Sequence, residues 1–208
     1  MCSLIKSATS RVQRAMCKVQ RAMLLAGWLL MSCSQNKAVV NKTFFNFDSL
    51  VDVQVSKLGD TQYELSKSVT IDGKNENTHF NPTEEQWQNE LQIFKQLDAL
   101  NKASFRDAYV ISEGRDTNSN LNVREIKANR PVPVSSVKFY YLRNSTDLRR
   151  VEAIWLEENS LYTNARKMII ELEPSSKGQI VHRYSIEGSQ KMVMDDSVKF
   201  VIAGEVTM

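Results

Sequence analysis

The stretch that decides the fold is Arg150–Glu187, RVEAIWLEENSLYTNARKMIIELEPSSKGQIVHRYSIE. Three β-rich runs in it, Val151–Leu156, Lys167–Leu172 and Ile180–Ile186, alternate with polar segments that favour turns. These segments are too short to hold a crossover helix, so consecutive strands must run antiparallel. The stretch therefore predicts three neighbouring strands of a meander.

The same spacing continues on both sides of this stretch. Asp72-Gly73 is a tight hairpin signal, and it follows an alternation of apolar and polar residues that begins at Tyr63. We therefore predict one antiparallel sheet of about seven to nine strands. The further predicted strands are Tyr109–Ser112, Leu121–Lys127, residues 137–141 and Val198–Val206.

Two helices are predicted before most of these strands. The first has an apolar stripe of helical spacing, with Thr43 as its N-cap and Gly59 as its end. The second opens at Asn81-Pro82, read as a cap followed by a proline at the first helical position. The stripes are Phe44, Phe47, Val51, Val55 and Leu58 in the first helix, and Trp87, Leu91, Phe94, Leu97 and Leu100 in the second.

These patterns predict an α+β fold in which two N-terminal helices pack on a curved antiparallel meander. Some strands have apolar side chains on both faces, so each face must be covered by other parts of the protein or by a ligand. We interpret these positions as a candidate apolar ligand face, with local core or edge packing as the alternative. The residues of this face are Ile154, Trp155, Leu156, Met192 and Met194.

The N-terminal segment has the three parts of a secretory signal. Five cations and no acidic residue precede Ser32, and the apolar run Ala22–Met31 has ten residues. As a helix this run rises about 15 Å, half of a bilayer core of about 30 Å, so it cannot span. Residues 1–15 add nothing that export needs, and we predict that translation starts near Met16.

The four residues Leu30, Met31, Ser32 and Cys33 resemble the lipobox of bacterial lipoproteins. The resemblance implies cleavage before Cys33 and a diacylglyceryl group on its thiol. We predict a signal peptide over residues 1–32, the lipidated cysteine and a flexible tether over 33–42, and a single α+β domain over 43–208. Sorting rules of the family favour the outer membrane, with the domain facing the periplasm.

Two further resemblances concern the folded part. The run Arg150–Glu187 is similar in pattern to the half-barrel of the outer-membrane lipoprotein carrier, which holds lipid in an apolar cavity. The order of lipobox, Phe-rich helix, Asp-Gly hairpin, Trp-bearing helix and closing meander resembles predicted outer-membrane lipoproteins of Bacteroidota. The second resemblance covers most of the mature chain and implies no activity.

Composition and motifs exclude several classes of function. Without residues 1–32 the chain has 22 basic and 24 acidic residues, so we expect no nucleic-acid partner. Its two histidines, His79 and His182, stand far apart and no cysteine follows Cys33, so we expect no metal. Asp116, Asn118 and Asn120 begin like a calcium loop but lack its glycine and glutamate.

No nucleophile elbow, phosphate loop or dinucleotide motif is present in the sequence, so we expect no enzyme and no cofactor. The sequence therefore predicts a lipid-anchored envelope protein that binds an apolar ligand or lipid without catalysis. The alternative is a structural or assembly lipoprotein that docks another envelope protein.

Overall fold

A computed structural model of the chain describes residues 44–60, 62–193 and 196–208. The predicted signal peptide and start at Met16, the cleavage box Leu30–Ser32, Cys33, the tether, Thr43 and Met194 lie outside the described residues. The fold is mostly β: an open antiparallel sheet of nine strands with few helices.

The first helix, α1, covers Phe47–Gly59. It begins after Asn46, whose side chain accepts a hydrogen bond from the backbone N–H of Ser49 at 3.0 Å. The predicted stripe is buried from Phe47 to Leu58. Phe44, which was predicted within the helix, precedes it, because Asn46 is the residue with an extended backbone and a capping side chain.

The second helix, α2, covers Glu84–Leu91. The prediction that Asn81 caps it with Pro82 at the first position is wrong, since Thr83 is the N-cap. Thr83 and Gln86 bond to each other's backbone N–H groups, which is a complete capping box. Two 3₁₀ segments follow, Gln92–Asn101 and Ala103–Ala108.

Nine strands make up the sheet, and the predicted strands correspond to eight of them, although Tyr63 and Leu121 each precede the strand in which they were predicted. The Asp72-Gly73 turn is confirmed, because both residues have positive φ, 48° and 82°, as a two-residue hairpin turn requires. The strands are β1 Glu64–Ile71, β2 Lys74–Phe80, β3 Tyr109–Arg115, β4 Asn122–Ala128, β5 Val134–Tyr141, β6 Leu148–Glu158, β7 Tyr162–Ser175, β8 Gly178–Met192 and β9 Val198–Thr207.

The strand order is β2-β1-β9-β8-β7-β6-β5-β4-β3. From β3 to β9 the sheet is a meander in which each strand pairs with the next one in sequence. The β1–β2 hairpin joins at the far edge, where β1 pairs with β9. This pairing connects the first strand to the last.

One face of the sheet packs against the helices, and we call it the inner face. A row of paired apolar residues crosses it from β4 to β8. Phe47, Trp87 and Phe94 from the helical segments belong to the same buried cluster. The row consists of Ile126, Val137, Ala153, Met168 and Ile186, each 3% exposed or less.

The opposite, outer face is rich in charge. Arg150, Glu171, Arg183 and Glu205 are paired across four neighbouring strands, so that positive and negative side chains alternate. Arg183 Nη2 lies 2.9 Å from Glu205 Oε1, and Arg150 Nη1 lies 3.6 Å from Glu171 Oε1. Opposite charges on neighbouring strands stabilise the sheet modestly, and they suit a solvated face.

Candidate functional site

The structure distributes the predicted ligand face over both faces of the sheet. Side chains alternate along β6, so Trp155 lies on the inner face with Ala153, while Ile154 and Leu156 lie on the outer face. Met192 is at the end of β8, and the alternation of side chains along this strand places it on the inner face. Met194 lies outside the described residues.

The centre of the inner face is filled with large side chains. Trp87 is completely buried, and Phe94 and Tyr184 are 1% exposed. The rings of Phe94 and Tyr184 meet edge to face, with their centroids 6.3 Å apart. The helical segments therefore fill the space over the centre of the inner face.

A polar network fixes α2 to the sheet. Glu90 on α2 accepts hydrogen bonds from Tyr184 Oη and from Lys67 Nζ, each at 2.7 Å. Burial raises the pKa of Tyr184, and its hydrogen bond to the Glu90 carboxylate raises the pKa further. The Tyr184 phenol therefore stays protonated, and remains a hydrogen-bond donor, at neutral and moderately alkaline pH.

Alternate connections of an antiparallel sheet lie at the same end. The turns β1–β2, β4–β5, β6–β7 and β8–β9 share one end, which we call the hairpin end. The turns β3–β4, β5–β6 and β7–β8 lie at the opposite end, which we call the distal end.

Three apolar side chains are exposed together at the hairpin end. Leu161 is 68% exposed, Met192 49% and Val193 65%. The backbone N–H of Val193 donates to the carbonyl of Leu161 at 3.1 Å, and Met192 is paired with Tyr162, the next residue after Leu161. These contacts hold the β6–β7 and β8–β9 tips together, and we call Leu161, Met192 and Val193 the apolar tip.

The described chain begins at this same end. The ring of Phe44 contacts Tyr109 with a centroid distance of 5.5 Å. Tyr109 is the first residue of β3, it is paired with Ala128 at the end of β4, and its hydroxyl donates to the carbonyl of Val134. Ala128 and Val134 lie on either side of the β4–β5 connection, which belongs to the hairpin end.

A buried asparagine fixes this point of the chain. Asn101 is 1% exposed. Its Oδ1 accepts from the backbone N–H of Phe44 at 3.0 Å, and its Nδ2 donates to the carbonyl of Phe45 at 2.7 Å. This role of Asn101 could not be predicted from the sequence, since one asparagine at the end of an apolar stripe has no distinctive pattern.

His79 stands in a hydrogen-bonded row with Ser66 and Glu64. Its Nδ1 is 2.9 Å from Ser66 Oγ and its Nε2 is 3.0 Å from Glu64 Oε2. The groups are those of a hydrolase triad, but the His79 side chain is 58% exposed and that of Glu64 45%. Water competes with ion pairs this exposed, so we assign the row to cross-strand pairing.

Comparison with known proteins finds no matching family model, no similar curated protein and no similar solved structure. Among the described residues, no helix combines the length and apolarity needed to cross a bilayer. Within the same residues, no group of three or more His, Cys, Asp or Glu side chains is arranged to hold a metal ion.

Proposed function

We propose that this protein is a non-enzymatic, lipid-anchored protein of the cell envelope, facing the periplasm, and that it docks another envelope protein through its apolar tip. The observation that supports this proposal most directly is the position of the tip. It lies at the hairpin end, where the described part of the chain begins at Phe44.

The length of the tether limits how far this end can stand from the membrane. Ten residues lie between Cys33 and Phe44, and the eleven residue steps from Cys33 to Phe44 span at most about 40 Å when fully extended. Each buried acyl methylene contributes about 0.8 kcal/mol, so a diacyl group is a stable anchor. The hairpin end would then face the bilayer, and the tip would meet a partner held at the membrane surface.

The filled inner face favours docking over storage of a ligand. We propose that the sheet curves as a half-barrel, like that of the lipoprotein carrier, with α1, α2 and the 3₁₀ segments packed on its inner face. Trp87 and Phe94 would have to move for an apolar molecule to enter the centre of that face. Exposed apolar surface, in contrast, is available at the hairpin end without rearrangement.

Binding of an apolar ligand or lipid is the second candidate function. It is favoured by the exposure of Ile154 and Leu156 on the outer face, 37% and 43%. A groove of about 570 Å³ includes Leu156 and is lined otherwise by the β4–β5 connection and by the adjoining ends of β4, β5 and β6. A single acyl chain or small apolar molecule fits a groove of this volume.

Site-specific photo-crosslinking in cells of the native host tests the proposal. A crosslinking residue replaces Leu161 in one variant and Val53 in the control, since Val53 is a 45% exposed residue of α1. We expect one protein adduct of defined mass at position 161 and none at position 53. Equal adducts at both positions, or only phospholipid adducts at position 161, would overturn docking.

The anchor has its own test. Wild type and Cys33→Ala are compared by membrane fractionation and by the mass of the N-terminal peptide. We expect wild type in the membrane fraction with an acyl mass on Cys33, and loss of both in the variant. An unmodified peptide that begins upstream of Cys33 would contradict the anchor while leaving the docking result unaffected.

A further inference from the structure

A groove of about 560 Å³ lies at the distal end of the sheet, between β3, β4 and the β5–β6 connection. Arg124 has the parity of Ile126, so its side chain belongs to the inner face. Residues that are paired across neighbouring strands lie on the same face of the sheet. Glu113 is paired with Arg124, and Asn122 is paired with both Arg115 and Tyr141, so these side chains lie on the inner face as well. The groove is therefore a part of the inner face, beyond the buried cluster that packs on the helices.

Three arginines line this groove, and they have little compensating charge. Arg124 Nε is 3.7 Å from Glu113 Oε1, too far for a hydrogen bond, and the Glu113 side chain is 74% exposed. The same Nε atom is buried without a hydrogen-bond partner. Within the part of the chain that the structure describes, Arg115 and Arg143 have no carboxylate within ion-pair distance. One carboxylate thus faces three guanidinium groups.

An aromatic side chain, Tyr141, lines the groove. The ring of Tyr141 stacks on that of Phe139, which is 1% exposed, with centroids 6.4 Å apart and planes 16° from parallel. Burial raises the pKa of Tyr141, although the Arg124 charge opposes this shift. The Tyr141 hydroxyl is therefore a neutral group that can donate or accept a hydrogen bond.

We propose that this groove binds a sugar that bears a phosphate or carboxylate group. Arginine presents a planar set of donors that matches both anions, often with two parallel hydrogen bonds. Asn122, Asn144 and Ser145 supply amide and hydroxyl groups for sugar hydroxyls, and Tyr141 supplies a ring surface. The volume exceeds that of a bare anion and lies within the range of small-molecule sites.

This inference goes beyond the proposed docking function and does not depend on the lipid anchor. The groove is at the distal end, and the apolar tip is at the hairpin end. Along β4, from Asn122 to Ala128, the two ends are roughly 20 Å apart. A ligand in the groove and a partner at the tip can therefore be bound together.

Isothermal titration calorimetry with the full-length protein tests the inference. The probes are glucose 6-phosphate, glucuronate, uncharged glucose and inorganic phosphate, at low ionic strength because salt screens exposed charges. We expect at least one charged sugar to bind with a Kd of about 1 mM or below, and glucose to bind at least about tenfold more weakly. A preference for the phosphate probe indicates phosphorylated sugars, and a preference for glucuronate indicates carboxylated glycans.

Two arginine variants and a matched control locate the site. Arg115→Gln and Arg143→Gln change exposed residues at a strand end and in a turn, so the fold should persist. Each is expected to weaken binding at least about tenfold, which corresponds to about 1.4 kcal/mol. Arg106→Gln removes the same charge from an exposed position in a 3₁₀ segment and should leave the Kd unchanged.

Three results would overturn the inference. The first is no binding of either charged sugar at concentrations up to about 10 mM. The second is binding that the Arg115 and Arg143 variants leave unchanged. The third is inorganic phosphate binding as tightly as glucose 6-phosphate, because the sugar would then contribute nothing.

Discussion

The phenol ring of Tyr184 lies directly against the backbone of Gly204, its paired residue on the neighbouring strand. A Cβ atom on Gly204 would be 2.3 Å from Cε1 of this ring and 2.4 Å from Cζ. The glycine is therefore required by the close approach of the ring, since its backbone has no unusual φ. An aromatic ring over a strand glycine covers backbone that would otherwise be exposed.

Gly204→Ala should destabilise the protein by about 1–3 kcal/mol, because the added methyl displaces Tyr184 from its packed position. The free energy of unfolding, measured by urea denaturation, checks this. Gly114→Ala is the matched control: Gly114 is also in a strand, and an added Cβ there meets no atom within 4 Å. Equal effects of the two substitutions would contradict the close packing at Gly204.

Tyr184→Phe should cost about 1–3 kcal/mol, because it removes the hydrogen bond to the Glu90 carboxylate while keeping the ring over Gly204. When Glu90 has already been replaced by Gln, Tyr184→Phe should lower the unfolding free energy by less, since the hydrogen bond no longer involves an ionised group. A double-mutant cycle of urea unfolding measures the coupling. Additive effects of the two substitutions would show that Tyr184 and Glu90 do not interact.

Alkaline pH should destabilise the fold through Tyr109. Burial raises the pKa of Tyr109 to about 12, whereas a tyrosine in the unfolded chain has a pKa of about 10. The stabilising contribution is therefore complete below pH 10 and is lost as pH rises from about 10 to 12. The contribution of Tyr109 is isolated by comparing the urea midpoints of wild type and Tyr109→Phe from pH 9 upward. The midpoint of the wild type should fall more steeply with pH. A difference that is constant with pH would contradict the burial of this hydroxyl.

Gln54→Ala should destabilise the protein by about 2–4 kcal/mol. The buried Gln54 amide accepts from the backbone N–H of Val181 at 2.9 Å and donates to the carbonyl of Gln179 at 3.2 Å. It thus satisfies the backbone where the pairing of β7 and β8 shifts register. Ser56→Ala, at an exposed position of the same helix, should change the unfolding free energy by less than about 0.5 kcal/mol. A similarly small effect at Gln54 would show that water replaces its two bonds.

Asn101→Ala should release the start of the domain from the core. It leaves the Phe44 N–H and the Phe45 carbonyl without their partner, so hydrogen exchange at residues 44–47 should accelerate by about tenfold or more. Asn89→Ala, at an exposed position in α2, is the control. Acceleration spread over the whole domain would indicate global destabilisation and contradict a local role.

Much of the secondary structure could be predicted from local pattern. The Asp72-Gly73 turn was recognisable because only a few residue pairs accept two positive φ angles. The stripe from Phe47 to Leu58 was recognisable because its spacing fits one helical face. The spacing of Leu91, Phe94, Leu97 and Leu100 is three throughout, which matches the 3₁₀ geometry of most of this segment, although it was interpreted as α-helical.

The first residues of the helices and the long-range strand pairing were harder to predict from the sequence. Asn81, Thr83 and Asn46 are all good capping residues, and the choice among them depends on the direction in which the preceding strand or loop arrives. The pairing of Leu65 with Val206 could not be predicted, because sequence patterns favour contacts between consecutive strands. The arginine groove was missed for the same reason: Arg115, Arg124 and Arg143 are scattered in the sequence and meet only through strand pairing.

The position of β9 between β1 and β8 has a consequence for the order of assembly. The hairpin of β1 and β2 is synthesised early, but its docking edge does not exist until Val198–Thr207 has emerged from the ribosome. During synthesis the hairpin therefore remains with one unpaired edge. Such distant pairing raises the contact order, which slows folding and lengthens the time in which this edge is open to wrong partners. We therefore expect chaperones to bind the newly made chain through β1, before its C-terminal strand arrives.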